Sequence, residues 1–583
     1  MTDQSSINPG SVEAASALLR RSALAALGIA GLSIIGSLLV PTTRAMPLMT
    51  ARLVFKQDLW LAVGLVGVAI MVLIASGRNA APLRLNARSA AVVALAVVAV
   101  TYAGRYLVLE NYDLVRDEQL VGFDAWIYGQ GHLVWPIPEM WRDHVEALGT
   151  TFMYPVAHPV AWVSSYLPGN ALLHAAVGSI ADPGLTSPLL AGGSAWLLWS
   201  CARRIWPDDR EAATVALLIM VLSGQFLVAA MTTWAMSAHL FFNLLWLRLF
   251  LNDRRGTDAV AILIGAFATG LHQPLFHPMF VAPFLGVLLA QRRWLRLAPF
   301  VLAYAAIGLF WLSWPHWIQP LVAGPASGAA AAASAGGGFL DRLSGALGSN
   351  TDNLTLTAAN LLRFVTWGHL ATLPLVFAAW PMIRRAALPA ALAVGVALPI
   401  VVLAVILPWQ GYGFGYRYLH PVLGNVALLA AYGWRNLESL LPRLRTAMLV
   451  ASAGMVMVVL PMQFVLAHRF VDATATASRT IDASHADYAI IRIADGFGFG
   501  NIVYNSPDLS NRPIRLVADD IPDHARLAAR ICHAGVTVAM PANSFYRAGT
   551  IFFVAKPFDT ADATLARLRV PYEAAGCRIV VLR

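Results

Sequence analysis

Long apolar runs, separated by short clusters of arginine, constrain this chain more than any other feature of its sequence. A helix needs about 20 apolar residues to cross the hydrocarbon layer of a membrane. Within that layer a backbone satisfies its hydrogen bonds only as a helix or as a closed barrel. Hydrophobic residues make up 58% of the 583 positions and charged residues only 12%. We therefore predict an all-α polytopic membrane protein.

The arginine clusters predict how the spans are oriented. Pairs such as Arg203-Arg204 and Arg384-Arg385 lie between apolar runs, and basic residues are typical of cytoplasmic loops. With the N-terminus inside, alternation of sides gives about 13 spans. Orientation also explains the net charge of +10 better than binding to nucleic acid does. The predicted spans are 23–40, 59–76, 89–107, 186–204, 212–230, 237–251, 258–275, 278–291, 297–315, 369–383, 388–407, 418–433 and 447–467.

The pattern divides the chain into three parts. Residues 1–88 form a cytoplasmic tail and two spans that precede the main membrane module. Residues 89–467 form that module, which includes an outer loop over 108–185. Residues 469–583 contain more charge, and short apolar runs there alternate with helix-like ones, so we predict a small outer α/β domain.

Two segments and two cysteines complete this outline. The apolar stretch 170–183 is too short to span, and we predict a helix lying in the interface. The small-residue stretch 322–350 is interpreted as a connector, with a lid as the alternative. Cys532 and Cys577 both lie in the outer C-terminal part, and we hypothesise that they form a disulfide in an oxidising compartment. Strands are predicted there at Ala489–Ile493, Ile502–Tyr504, Ile514–Val517, Val536–Met540, Ile551–Ala555 and Arg578–Leu582, and helices at Asp523–Ala534 and Thr560–Leu568.

Residues 110–169 concentrate charge in a chain that has little of it. A charge at the centre of a bilayer costs about 3 kcal/mol or more, so this loop must lie at the water boundary or line a polar cavity. Asp113 and Asp124 are interpreted as helix caps or as partners of Arg116. The charged residues of the loop are Glu110, Asp113, Arg116, Asp117, Glu118, Asp124, Glu139, Arg142, Asp143 and Glu146.

The loop and a later segment resemble the membrane-embedded glycosyltransferases of the GT-C superfamily. The likeness is to the branch related to bacterial protein O-mannosyltransferases and the aminoarabinose transferases of lipid A. The residues that carry it are Asp117-Glu118, Gly131-His-Leu133, Trp162-Val-Ser-Ser-Tyr166-Leu-Pro168-Gly169 and Gly415-Tyr-Arg417-Tyr418-Leu-His-Pro421. The chain departs from the family in having two extra spans before the loop. It also has His272-Gln273-Pro274 where the family often has an arginine before proline.

The resemblance implies a donor sugar on a polyprenyl phosphate and a hydroxyl acceptor. A hydroxyl needs a base to take its proton as it attacks, and the resemblance gives this role to Asp117. Glu118 would orient the acceptor or Asp117. A single base with direct attack implies inversion at the anomeric carbon, because retention requires a second positioned carboxylate.

The same resemblance assigns the donor phosphate to Arg417, with His272 assisting. A guanidinium suits phosphate oxygens, although an arginine at headgroup depth is also an ordinary feature of membrane proteins. We expect Asp117 and Arg417 to face one cavity. No cofactor is expected. A divalent metal is the alternative, but His272 and His277 are not spaced as a helical pair of metal ligands. The candidate substrate-binding residues are Tyr166, Trp162, His239, Tyr418 and Gln273.

These patterns favour a glycosyltransferase of a bacterial inner membrane with a periplasmic C-terminal domain. Its acceptor would be a lipid, a glycan or a protein. The alternative is a polytopic transporter or flippase of lipid-linked or other solutes, which would use the same charges as a polar pathway. A third interpretation is a binding or assembly protein whose C-terminal domain acts and whose spans anchor it.

Overall fold

The structure is a computed structural model. It describes residues 53–75, 80–324, 351–407, 410, 413–441, 443–493, 499–548 and 561–583, together with six single positions between 17 and 35. Residues 325–350 of the small-residue stretch and the predicted strand at 551–555 therefore lie outside the described residues, as does the predicted span 23–40 apart from four single positions.

The chain divides into two compact units. The membrane unit contains residues 1–104, 184–312 and 339–466, and the loop unit contains residues 105–183, 313–338 and 467–583. The acidic loop and the C-terminal segment thus belong to one unit, whereas the boundary drawn from sequence at 469 separates them.

The apolar runs of the membrane unit form helices. Four helices in the described residues are long and apolar enough to cross a membrane: Ala87–Leu107, Trp294–Ala323, Ala387–Ile406 and Leu444–Asp482. Three shorter ones, Leu59–Ala75, Met236–Phe250 and Phe276–Ala290, are also apolar. Among the described residues, the other α-helices that begin between 184 and 443 are Thr186–Ile205, Arg210–Val221, Gly224–Ala229, Arg255–Thr269, Thr351–Thr366, Thr372–Ala378, Trp380–Arg385 and Leu423–Glu438.

Several predicted spans are not continuous helices. The run 212–230 is interrupted at Leu222–Ser223, and the run 418–433 begins as the 3-10 helix Arg417–Val422. Just after the break, the backbone N–H of Gln225 donates to the carbonyl of Trp367 at 3.1 Å, and the Ser223 hydroxyl donates to the same carbonyl. Irregular backbone at membrane depth persists only where protein surrounds it. We therefore expect these breaks to face other parts of the protein and not lipid.

The first described span packs closely on the last one. Leu65 and Val68 share a core with Met455 and Val459, which lie in the π-helical turn Met455–Val459. A Cβ on Gly454 would lie 2.5 Å from Cγ1 of Val68. Glycine at this crossing allows the two backbones to approach.

The C-terminal part of the loop unit contains a four-stranded parallel sheet. Its strands are β1 (Tyr488–Ile491), β2 (Ile514–Val517), β3 (Thr537–Pro541) and β4 (Arg578–Leu582), in the order β2-β1-β3-β4. β2 and β3 are buried along their whole length, as expected for parallel strands covered on both faces. The predicted strand at 502–504 was wrong, because these residues follow the 3-10 helix Phe499–Asn501 without pairing.

Helices and a disulfide surround this sheet. Cys532 follows the helix His524–Ile531, Cys577 precedes β4, and the two sulfurs are bonded. The hypothesis of this disulfide is thus confirmed. The other α-helices that begin in the described part of the loop unit are Arg116–Gly129, Glu139–Arg142, Gly169–Gly178, Asn543–Ala548 and Ala561–Ala574.

The loop helix, Arg116–Gly129, packs on the sheet through one face. Leu120, Phe123 and Ile127 recur at helical spacing and share a core with Leu516 and Val538. The helix that carries the acidic pair is therefore held by the same core as the C-terminal sheet.

Candidate active site

The acidic pair lies in the first turn of the loop helix. Asp117 is 8% exposed and Glu118 is 2% exposed. The Glu118 carboxylate accepts the backbone N–H groups of Leu114 at 3.0 Å and Val115 at 3.2 Å. A glutamate in the third helical position commonly binds back to the residues before the helix in this way. Glu118 thus fixes the turn from which Asp117 projects.

Negative charge accumulates around this turn. Burial raises the pKa of Glu118 well above its usual range, and the neighbouring carboxylates Asp113 and Asp117 raise it further. Asp113 forms an ion pair with Arg105 at 3.4 Å. Its predicted pairing with Arg116 was therefore wrong, because Arg116 donates instead to the carbonyls of Gly500 and Val503.

Asp124 lies two turns further along the loop helix and is buried. Its carboxylate accepts the N–H of Ser164 at 3.1 Å and also the Ser164 hydroxyl. Burial raises the pKa of Asp124 to about 7. The interpretation as a helix cap was wrong, because position 124 is in the middle of the helix. Asp124 instead ties the helix to the segment that contains Trp162 and Tyr166.

The two aromatic candidates in this segment differ in their surroundings. Trp162 is 2% exposed, donates its indole N–H to the carbonyl of Pro507 at 3.0 Å and lies edge-on to Phe123. Tyr166 is half-buried beside Phe152, with ring centroids 5.8 Å apart. Trp162 also lines a cleft of about 430 Å³.

That cleft follows the loop helix on the face away from Asp117. Arg116, Gln119, Phe123 and Trp126 line it, and these positions recur at the helical period, whereas Asp117 lies about 100° away from Arg116. One face of the loop helix therefore packs on the core and lines the cleft, whereas Asp117 lies on a separate face.

Arg417, in the membrane unit, begins a short 3-10 helix that we call the arginine turn, Arg417–Val422. Its backbone N–H donates to the side chain of Gln410 at 2.8 Å. Gln225 accepts the N–H of Tyr416 at 2.9 Å and donates to the Tyr416 carbonyl at 3.0 Å. Two glutamine side chains thus clamp the backbone on which Arg417 stands. Gly415 has φ +76°, and a Cβ there would lie 2.3 Å from Gln225.

The guanidinium of Arg417 lies against aromatic rings. It is 5.0 Å from the ring centre of Trp234 and 5.3 Å from that of Tyr418. Such cation–π contacts hold a guanidinium in a preferred plane. Both rings are nearly buried, so they define where the guanidinium points.

Histidines and an asparagine extend this polar region. His277 donates from Nδ1 to Asn243 at 2.7 Å and contacts the Tyr304 hydroxyl through Nε2 at 2.8 Å, and Asn243 donates to the carbonyl of Pro421 in the arginine turn. Both ring nitrogens of His277 are therefore in use. His239 is 2% exposed, and in the described part of the chain neither of its ring nitrogens has a hydrogen-bond partner.

His272 and Gln273 lie between the helices Arg255–Thr269 and Phe276–Ala290, where both are half-buried. Among the described residues, the group whose geometry would permit a metal is Glu110, His468 and Asp472, with ligand atoms within 4.8 Å of one another. Arg479 pairs with the same Glu110 carboxylate, and this ion pair already balances the negative charge of Glu110.

Sequence reasoning missed Gln225 and Gln410, and also a buried ion pair between Asp58 and Arg363. A polar side chain inside an apolar run was the available signal, because such residues face the protein interior and find partners there.

No protein-family model matches the chain, and no curated protein matches it significantly. Among solved structures it is similar to ArnT from Cupriavidus metallidurans bound to undecaprenyl phosphate, with 12% identity, a TM-score of 0.47, and coverage of 83% of this chain and 89% of that one. It is also similar to the apo form of ArnT from the same organism, with 13% identity, a TM-score of 0.46, and coverage of 71% and 84%. These values describe a distant likeness of fold and assign a role to no residue.

Proposed function

We propose that this protein is an integral-membrane glycosyltransferase that transfers a sugar from a polyprenyl-phosphate donor to a hydroxyl of a lipid, glycan or protein at the periplasmic face of the inner membrane. The observation that carries the proposal is the buried acidic turn, in which Asp117 projects from a backbone fixed by Glu118. The sequence around that turn carries the motifs of the GT-C resemblance.

Asp117 acts as the general base. A sugar or lipid hydroxyl is a weak nucleophile near neutral pH, and a carboxylate at about 3 Å can take its proton during attack. Glu118 is committed to backbone N–H groups, so it orients the turn. One base acting on a direct displacement inverts the anomeric carbon.

Arg417 binds the donor phosphate. The phosphate gains charge as it leaves, and a fixed cation stabilises that charge. Support comes from the clamped backbone at Tyr416 and Arg417 and from the rings of Trp234 and Tyr418, which orient the guanidinium. His239, His272, Gln273 and the aromatic pair Trp162 and Tyr166 complete the proposed donor and acceptor contacts.

The periplasmic placement rests on charge and on the disulfide. The acidic loop and the C-terminal segment form one compact unit, and that unit contains the Cys532–Cys577 bond. Disulfides persist in oxidising compartments such as the periplasm. The arginine clusters between the apolar runs support a cytoplasmic location for the opposite loops.

The test uses the purified full-length protein in nanodiscs. Mass spectrometry of lipids and glycans from cells with and without the protein would first identify a donor. We expect Asp117→Asn to lower kcat by about 10²–10⁴-fold, the usual contribution of a general base, while donor binding remains. Asp143→Asn is the matched control, because Asp143 lies in the same loop but is half exposed.

Equal sugar transfer by the Asp117→Asn variant would refute the role of the base. A transporter predicts a different pattern. It would move lipid-linked sugar across proteoliposome membranes without making any glycoside, and Asp117→Asn would then change the rate of movement only.

A further inference from the structure

Asp58 and Arg363 form an ion pair inside the membrane unit. Asp58 is 2% exposed and Arg363 is 0% exposed. The Arg363 Nε donates to Oδ2 of Asp58 at 2.8 Å, and the indole N–H of Trp367 donates to Oδ1 at 2.8 Å. Both oxygens of the aspartate therefore have a strong donor.

Such a pair requires an explanation other than stability. Replacing a buried ion pair with apolar side chains is often neutral or stabilising, because two charges must leave water to form it. Ionisable residues among membrane helices usually serve a function. The question is what this pair holds in place.

Arg363 connects the pair to the segment that carries Arg417. Its Nη2 donates to the carbonyl of Gly413 at 2.6 Å. A methyl group on Gly413 would lie only 3.3 Å from Cδ of Arg417, so the backbone of Gly413 lies directly against the Arg417 side chain. Fixing the Gly413 carbonyl thus fixes one side of the space that Arg417 occupies.

Trp367 makes a second connection to the same segment. Its indole binds Asp58, while its carbonyl accepts the N–H of Gln225 at 3.1 Å. The Gln225 side chain in turn binds both the backbone N–H and the backbone carbonyl of Tyr416. Asp58 is therefore joined by two routes to the residues that precede the arginine turn.

Asp58 belongs to the first described span, which the GT-C resemblance does not account for. It ends the π-helical turn Leu53–Asp58 that leads into Leu59–Ala75. Next to it, Gln57 donates to the carbonyl of Leu466 at 3.3 Å. The span is thus bound to the rest of the membrane unit by packing, by a hydrogen bond and by a buried charge.

We propose that Asp58 is a positioning residue for donor binding, through which the extra N-terminal span orients Arg363 and thereby fixes the Gly413–Arg417 segment. The inference rests on the proposed function in one respect, namely that Arg417 binds the donor phosphate. The extra span then helps to position the residues of the donor site.

The first test does not depend on activity. Hydrogen–deuterium exchange would be measured on the full chain in nanodiscs for Asp58→Asn and for the control Asp253→Asn. Asp253 also pairs with an arginine of the membrane unit, but in an exposed position. We expect the amides of Tyr416 and Arg417 to exchange about tenfold faster in Asp58→Asn only, the scale of one charge-assisted hydrogen bond. Unchanged exchange at these two amides would overturn the inference.

The second test measures binding of sugar-free polyprenyl phosphate by native mass spectrometry, followed by kinetics with the donor. Asp58→Asn should weaken binding of the lipid phosphate and raise the donor KM about tenfold, with the acceptor KM unchanged. Asp58→Glu keeps the charge and should give a smaller effect, and it serves as the test if Asp58→Asn does not fold. A lower melting temperature with unchanged lipid binding would mean that the pair is only structural.

The two hypotheses fail in different ways. If the wild type transfers sugar and Asp58→Asn behaves like Asp253→Asn, the positioning role is wrong and the enzyme assignment stands. If the wild type transfers no sugar but the amides of Tyr416 and Arg417 still respond to Asp58→Asn, the connection is real and the proposed reaction is wrong.

Discussion

The membrane unit and the loop unit bury aspartates in different ways. Asp58, in the membrane unit, lies against a fully buried guanidinium. Asp124, in the loop unit, is bound by the N–H and the hydroxyl of Ser164, which are neutral donors. The first arrangement keeps a matched pair of charges. In the second, burial raises the pKa of the carboxyl to about 7, although both hydrogen bonds from Ser164 act to lower it. The Asp124 carboxyl of the loop unit can thus exchange a proton near neutral pH. In the membrane unit, Asp58 and Arg363 are held together by their opposite charges.

Removing half of the ion pair should have the largest effect on folding. Arg363→Met leaves Asp58 buried without its cation, and breaking a buried pair in this way costs about 3–5 kcal/mol. The free energy of unfolding in detergent, measured by denaturant titration, would report it. The double variant Asp58→Leu with Arg363→Met removes both charges and should recover most of the loss. If the double variant is as unstable as the single one, charge is not what the pair contributes.

The loop unit should instead show a pH dependence that comes from Asp124. Its pKa is about 7 in the folded state and near 3.8 when unfolded, so the folded state binds more protons between these values. Stability should therefore fall as pH rises from about 4 to about 7 and then level off. Asp124→Asn should remove this part of the slope, as followed by melting temperature across pH. An identical slope in Asp124→Asn and wild type would show that Asp124 does not titrate in this window.

The smallest effect is expected at Glu118, whose role in the turn depends on accepting hydrogen bonds. Glutamine at this position can also accept from the backbone before the helix, so Glu118→Gln should unfold within about 0.5 kcal/mol of wild type. Glu118→Ala loses the acceptor and should cost about 1 kcal/mol, the usual value of a lost cap. Thermal unfolding compares the two variants. Equal losses for both would mean that the charge of Glu118 matters and the hydrogen bonds do not.

Much of the fold was predictable from local patterns. Apolar run length gave helices at 59–75, 87–107 and 387–406, because hydrocarbon leaves a chain few alternatives. The alternation of apolar runs beyond 469 gave four of the strands and two helices, because buried strands and helices differ in the length and spacing of their apolar residues. The motifs of the acidic loop drew attention to Asp117 and Glu118, which the structure places in one buried turn.

The contacts of individual polar side chains were not predictable. Asp113 found Arg105 instead of Arg116, and Trp162 used its indole N–H on Pro507, far along the chain. These partners are separated by many residues or by a turn whose shape no short pattern encodes. The hydrogen bonds of Glu118 were not predictable either, because the sequence around it fits a capping box only once the helix is known to begin at Arg116.

By itself, the sequence determined that this chain crosses a membrane many times and that its scarce charges collect in one loop, because solvation decides both from composition along the chain. Only the tertiary structure decided that Asp58 meets Arg363 across 305 residues and that the acidic loop shares a core with the C-terminal sheet. Such pairings depend on which helices and strands become neighbours, and long-range packing sets that arrangement.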